Sequence, residues 1–237
     1  MKSTSSVSRY SALALGLAFG LTGAQAALVD LGPGSFTPAA TVITFSEQAL
    51  GTVNPSYSLA AGSLGPVNVD FAASFVGQTI TGGGVKTLTG SPTGPLTLSN
   101  AGITKIVNDG AAPTSPVLSG DPTFNGPISV LFSVPVAAVG LSGGFFDAVG
   151  GTTITAFDAN GNTLGSITNT QTGIEFYGLA DSGGAAVIKG ISFYITGNEP
   201  AGFGIDNLTF GGAEVVVGRV PDTGSTLLLF SAVLGLF

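Results

Sequence analysis

Apolar and polar residues alternate with a period of two along most of this chain, and the helical spacing of three and four hardly appears outside its two ends. Val67, Val69, Phe71, Ala73 and Phe75 share one face, with Asn68, Asp70, Ala72 and Ser74 on the other. Ile128, Val130, Phe132 and Val134 alternate with Ser129, Leu131 and Ser133; Ile191, Phe193 and Ile195 alternate with Ser192, Tyr194 and Thr196. Further strands are expected over 41–45, 96–98, 136–141, 152–157, 163–168, 174–177 and 203–210. A half-buried strand needs a second layer against its apolar face, so about ten short strands predict an all-β, two-sheet β-sandwich of jelly-roll type.

Turn chemistry divides these strands. Asp158-Ala159-Asn160-Gly161-Asn162 carries an Asn-Gly pair, which accepts positive φ at both central positions of a hairpin turn. An EF-hand calcium loop would need a Glu six residues after the glycine, and position 167 is Ile. Residues 77–127, with Gly82-Gly83-Gly84 and prolines at 92, 95, 113, 116, 122 and 127, predict an irregular, loop-rich insertion holding short strands.

The two ends read differently. Lys2 and Arg9, an apolar stretch from Ala12 to Leu21 and the A-x-A site Ala24-Gln25-Ala26 form a secretory signal peptide over 1–26. Signal peptidase is then the first partner and Ala27 the mature N-terminus; an uncleaved membrane anchor is the alternative. At the other end, 219–237, Arg219 precedes Val220-Pro221-Asp222-Thr223-Gly224-Ser225-Thr226, and an unbroken apolar run continues from Leu227 to Phe237. Pro221 and Gly224 hold a turned or extended segment that a protease can grip, and the apolar run parks it at the bilayer. The eleven residues after Thr226 make about 16 Å of helix against a hydrocarbon core of roughly 30 Å, so this run by itself does not span; either the chain continues past Phe237 or the signal has degenerated. An ordinary last strand or a tail anchor is the alternative reading.

Between these ends, residues 27–218 suffice for one domain with its own core. No Cys or His is present, which excludes thiolate sites, histidine-ligated zinc and any nucleophile activated by His. Acidic residues outnumber basic ones 13 to 6, for a net charge of −7, and only Lys86, Lys105, Lys189 and Arg219 are basic after the signal. Nucleic acid is a poor partner for such a chain, since no basic face neutralises phosphates. Charged residues are only 8% of the chain, so its polar surface must be Thr, Ser, Asn and Gly, and stability must come from packing or bound ions.

Two carboxylates break the alternation. Ile43 and Phe45 face inward in the opening strand, and the same period places Glu47 on the apolar side. In the closing strand Ile205 has the opposite parity to Leu208 and Phe210, which implies a bulge at Asp206-Asn207. If the first and last strands lie side by side, Glu47 and Asp206 meet and would hold a cation, with calcium the fitting hard-oxygen ion. The alternative leaves Glu47 past the strand end in solvent and Asp206 capping a turn. A glycosidase reading would need Glu47, Glu175 and Glu199 to converge; Glu175 alternates outward, and Glu199 sits in the turn Gly197-Asn198-Glu199-Pro200, where solvated surface acids are expected. Tyr57, Tyr177 and Tyr194 are candidates for a sugar-stacking platform or for ordinary packing.

The tail resembles the PEP-CTERM class of bacterial sorting signals in its VPDSG variant: Val220, Pro221, Asp222 and Gly224 match, and Thr223 replaces the serine. That resemblance implies handling by an exosortase, a membrane transpeptidase; the basic cluster that usually ends such tails is missing from this sequence. Residues 41–211 are similar to the exported sandwich domain of such proteins, through Ile43-Thr44-Phe45, Phe132-Ser133-Val134-Pro135-Val136, Phe157-Asp158-Ala159-Asn160-Gly161 and Ile205-Asp206-Asn207-Leu208-Thr209-Phe210. It implies a non-enzymatic protein of the cell surface or extracellular matrix, associated with exopolysaccharide. Related jelly rolls are often carbohydrate-binding modules with a structural calcium between their terminal strands, so a binding module or weak polysaccharide hydrolase is the alternative.

Overall fold

The computed structural model describes residues 27–109 and 115–218. Its strands are β1 (Leu28–Asp30), β2 (Thr41–Ile43), β3 (Ser56–Ala60), β4 (Pro66–Ala72), β5 (Thr79–Gly82), β6 (Lys86–Thr89), β7 (Thr104–Val107), β8 (Val117–Gly120), β9 (Ile128–Val136), β10 (Ala138–Phe146), β11 (Thr152–Phe157), β12 (Thr163–Thr168), β13 (Gly173–Asp181), β14 (Ile188–Ile195) and β15 (Gly204–Gly211). One antiparallel sheet runs β1-β13-β10-β15-β8-β7, with β2 also paired to β15; a second runs β12-β11-β14-β9-β4-β3, and β5 and β6 form a separate hairpin. The fold is all-β, and its two large sheets enclose one core in the manner of a β-sandwich.

That core is built from the residues the alternation selects. Val67, Val69 and Phe71 of β4, Ile128, Val130 and Phe132 of β9, and Ile191, Phe193 and Ile195 of β14 are all buried in it. Facing them are Val139, Leu141 and Phe146 of β10, Tyr177 and Leu179 of β13, and Ile205, Leu208 and Phe210 of β15. Aromatic rings bind the layers together: Phe193 packs against Phe203 with centroids 4.5 Å apart and Tyr177 at 5.2 Å, and Phe132 lies 5.1 Å from Phe210. Each fully buried side chain of this size stabilises the fold by about 1.5–3 kcal/mol relative to exposure.

β9 and β10 are separated by Ala137 alone yet belong to different sheets, so the chain switches layers within one residue. The bulge expected at Asp206-Asn207 is present. Gly140 pairs with Thr209 and Ser142 with Asp206, which sets Asn207 and Leu208 against Leu141 alone, and Asn207 has φ 51°. The strand expected to open the domain, β2, lies beside the last strand, β15, with Ile43 opposite Leu208 and Thr41 opposite Phe210, although β1 precedes it and pairs with β13.

The 77–127 segment is more integral than its composition suggests. β7 and β8 extend the first sheet, with Ile106 and Leu118 fully buried and Leu118 opposite Ile205. The outer face of the second sheet is also covered: Phe75, Leu96 and Phe157 form a separate buried cluster there, with Leu131 packed against it. Gly190 permits this, because a Cβ at that position would stand 2.7 Å from the Phe75 ring and 2.9 Å from Leu96. Residues 96–98 contribute an isolated bridge between Phe75 and Leu98 instead of a strand. The β11–β12 hairpin forms at 158–162 with Gly161 at φ 80°; Asn160 does not share the positive φ, and the Asp158 carboxylate instead accepts the Asn160 and Asn162 amides at 2.8 Å.

Near the end of the described chain, Glu214 fastens the sandwich to the β3–β4 connection. Its carboxylate accepts the Ser63 amide at 3.1 Å and the Ser63 hydroxyl at 2.7 Å. Burial alone would raise its pKa, but the Ser63 hydroxyl, the Ser63 amide and the Gly212 amide together hold it below the usual carboxylate value. A depressed carboxylate stabilises the fold above its unfolded value of about 4.3, and the contribution is lost as pH falls through the lower folded value. Glu214→Ala is expected to lower stability at neutral pH by about 1–2 kcal/mol in urea unfolding, because charge-assisted hydrogen bonds disappear. The difference between wild type and variant should shrink toward zero in strong acid.

Candidate functional site

At one end of the sandwich, β10 hands over to β11 through residues 147–151, and β14 to β15 through 196–203. The two connections are stitched to each other. The Thr196 and Gly197 amides donate to the Gly151 carbonyl at 2.8 and 3.0 Å. Asn169, buried after β12, accepts the Thr152 amide at 3.0 Å and donates to the Ala148 and Gln171 carbonyls at 2.7 and 2.9 Å. Thr152 in turn shares a 2.9 Å hydrogen bond with the Tyr177 hydroxyl.

Glu199 is clamped between these loops. Its sequence context in a Gly-Asn-Glu-Pro turn suggests a solvated acid, and the structure overturns that: Glu199 is 2% exposed. The turn folds back over the 147–151 loop, so Glu199 Oε1 accepts the Asp147 amide at 2.8 Å while Asp147 Oδ2 accepts the Ala201 amide at 2.8 Å. Glu199 Oε2 is buried and receives no hydrogen bond. Burial pushes the Glu199 pKa up, with the neighbouring Asp147 charge adding to the effect, against opposing hydrogen bonds from the Asp147 and Ala148 amides. A turn signal says that the chain reverses, not which way its side chains point, and that is why this carboxylate was missed.

The end of β10 and the 196–203 connection border a depression of about 150 Å³ whose wall includes Asp109, Phe124, Phe145, Ala201 and Phe203. Phe145 is 54% exposed, a large apolar ring left at the surface of a depression that Asp109 also lines. The tyrosines expected as alternatives for a platform do not provide one. Tyr57 and Tyr177 are core residues in edge-to-face contact with Phe45, Phe71, Phe146 and Phe193, and burial raises both hydroxyl pKa values far above normal. Tyr194 is half-buried, its hydroxyl 3.2 Å from that of Thr155.

The carboxylates singled out in the sequence fall into separate places. Glu47 does not continue the inward face of β2: Phe45 adopts φ 58°, the chain leaves the strand, and Glu47 lies exposed in a turn. There its Oε1 accepts the Thr44 hydroxyl at 2.8 Å. Asp206 is 1% exposed at the bulge, and its Oδ1 accepts the Asn207 amide at 2.7 Å. Glu175 is half-buried and engaged by the Thr170 and Gln171 amides and the Thr170 hydroxyl. Thus Glu47, Glu175 and Glu199 serve three different turns. Among the described residues, no three His, Cys, Asp or Glu side chains gather to hold a metal ion. Ala27 is exposed, with its carbonyl accepting the Ser182 amide at 2.7 Å; Ala24, Ala26 and the motif Val220, Pro221, Asp222, Thr223, Gly224 and Ser225 lie outside the described residues. The chain matches no protein-family model, and no curated protein is significantly similar to it.

A carboxyl whose folded pKa is raised stabilises the fold below its unfolded value and loses that contribution as pH rises through the folded value. With divalent cations chelated, wild-type stability relative to Glu199→Gln is therefore expected to fall as pH climbs above the ordinary carboxylate range. Urea midpoints of both proteins from roughly pH 4 to pH 8 check this; parallel curves would mean that the Glu199 pKa is the same in the folded and unfolded chain.

Proposed function

We propose that this chain is an exported, non-catalytic protein of the cell surface or extracellular matrix. In this reading signal peptidase cuts after Ala26, an exosortase-type transpeptidase processes the tail at Val220-Pro221-Asp222-Thr223-Gly224-Ser225, and the body associates with exopolysaccharide. The jelly-roll kinship belongs to the same reading.

The observation that supports it best is the polarity of the body. Val29 of the entering chain and Val215 and Val216 of the leaving chain pack in one small cluster with Ala138 and Ala180. Ala138 opens β10, and Phe145 at the depression stands seven residues further along the same strand, roughly 23 Å away at about 3.3 Å per residue. A body held by its C-terminal segment therefore turns the depression away from the attachment. An exposed ring in a depression that a carboxylate also lines suits a saccharide, whose C–H face stacks on the ring while its hydroxyls donate to the acid.

The experiment has two arms. In the native host, Pro221→Ala is expected to leave uncut precursor in the membrane fraction, because the gripped turn is lost; normal processing would reject the sorting assignment. In co-sedimentation with the host's exopolysaccharide, Phe145→Ala should weaken binding about 2- to 10-fold, the range expected for one aromatic contact. Unchanged binding would remove the depression from the reading, and release of reducing sugar by the wild type would favour the weak hydrolase instead.

A further inference from the structure

We infer that the depression at the end of the sandwich takes one amino-sugar unit of a polysaccharide, with the ammonium group near Asp109 and an apolar face on Phe145. This rests on the polysaccharide reading above and names the unit that is read. Size is the first ground. About 150 Å³ falls short of the roughly 300–1,000 Å³ that encloses a drug-sized ligand, so the depression admits a single small ring and not a length of chain. Its walls are set before anything binds. Phe124 stands at φ 65°, a region that a non-glycine residue enters at a cost, and both of its backbone groups are pinned there: its amide donates to Ser119 Oγ at 2.6 Å and its carbonyl accepts the Phe203 amide at 2.7 Å. The Phe145 ring rests on the chain at Gly173, where a Cβ would stand 3.6 Å from it. A ring braced by backbone and still 54% exposed offers a fixed stacking surface.

Charge is the second ground, and it separates one class of sugar from another. Asp109 is half-buried in the wall, its Oδ2 3.6 Å from where a Cβ on Gly204 would stand at the start of β15. Asp147 reaches the rim through its own Oδ2, which accepts the amide of the wall residue Ala201 at 2.8 Å. Among the described residues that line the depression, none is a lysine or arginine. Lys86 faces Asp121 at 3.9 Å, the Lys189 ammonium donates to the Ser133 carbonyl at 2.6 Å, and Lys105 lies on β7 opposite Ser119. Apart from Asp222, every carboxylate of the chain belongs to this same body. The field at the depression is therefore negative: a uronate, sulfated or phosphorylated unit is repelled, and a protonated amine is attracted. A lysine-rich peptide would bring the same charge but no C–H face to lay on the ring, which favours the sugar.

The full chain, recovered in mild detergent, is titrated calorimetrically with trimers of glucosamine, N-acetylglucosamine and galacturonate. The buffer is mildly acidic, which keeps the sugar amine protonated, and holds about 0.15 M salt, which screens charges beyond about 8 Å. The glucosamine trimer should bind about two- to fivefold tighter than its acetylated counterpart, the scale of one partly solvated ion pair, and the galacturonate trimer should not bind measurably. Asp109→Asn should erase that preference and keep the affinity for the acetylated trimer. Phe145→Ala should weaken both, and Asp30→Asn, at an exposed acid of β1, should change neither. If Asp109→Asn fails to fold, amide shifts of the wild type decide, since the glucosamine trimer must then move Ala201, Gly202 and Phe203 at the depression. Equal affinity for the two trimers, or a preference that outlives Asp109→Asn, overturns the inference, while the polysaccharide reading stands if Phe145→Ala still weakens binding. Tighter binding of trilysine than of the glucosamine trimer overturns it in favour of a cationic peptide. Failure of every trimer overturns it as well, and co-sedimentation with the host's exopolysaccharide then judges the broader reading by itself.

Discussion

Phe193 packs against Phe203, Phe146 and Tyr177 in the space between the two sheets, and the position of the loops follows from that contact. These four rings come from β14, from the residue preceding β15, and from β10 and β13, so one aromatic cluster fixes both sheets near the end where their connections emerge. Phe146 is the last residue of β10 and Asp147 the next; Phe203 lies four residues after Glu199. The loops carrying the two carboxylates are thus anchored at their roots by rings that cannot move without opening the core. Edge-to-face packing contributes about 0.5–1.5 kcal/mol per pair beyond area burial, and it also fixes angles, which burial alone does not.

Charge is scarce in this chain, and the fold disposes of its acids by one recurrent device. Glu47 takes the hydroxyl of Thr44, Glu175 the hydroxyl and amide of Thr170, Glu214 those of Ser63, and Asp70 the hydroxyl of Ser56. Hydroxyls and backbone amides stand where other proteins use Lys or Arg. The device suits a surface built of Thr, Ser and Gly, which offers donors both from the acid's own turn, as at Glu47 and Glu175, and from a neighbouring segment, as at Asp70 and Glu214. Glu199 departs from it. One of its oxygens has the Asp147 amide, and the other is buried near carbonyl oxygens with a second acid beside the group, surroundings that favour the protonated acid over the anion.

The alternation in the sequence carried the core because Val67, Val69 and Phe71 of β4, Ile128, Val130 and Phe132 of β9, and Ile191, Phe193 and Ile195 of β14 obey a rule that involves only their own strand. The parity break at Ile205 and Leu208 was legible for the same reason: a bulge is a local event, and two-against-one pairing at Leu141 is its necessary consequence. What the sequence did not disclose depends on contacts between distant segments. Thr104 to Val107 and Val117 to Gly120 read as part of a Gly/Pro-rich insertion, and only the free edge of β15 makes them strands. Glu47 followed the period of β2 on paper, but Phe45 at φ 58° ends that period two residues after the strand. Glu199 was hidden for a related reason, since its burial is produced by the 147–151 loop, fifty residues earlier in the chain.

The polarity of the body ties these features together. β10 runs from the small cluster that gathers both chain exits to the loops around Glu199, and β13 and β15 run parallel to that axis with their far ends at Gly173 and Gly204. One end of the sandwich is therefore committed to its flanking segments: Val217 donates to the Ser35 carbonyl, and Glu214 is strapped to Ser63. The other end is left to the 147–151 and 196–203 loops, which are held by hydrogen bonds among themselves and by rings beneath them. A pull on the C-terminal segment would enter through Val216 and the short 3-10 turn at Ala213–Val215 and run into the β15 ladder lengthwise. Ladder bonds loaded along the strand resist together, whereas a pull at the loop end would open them one at a time, beginning beside the depression.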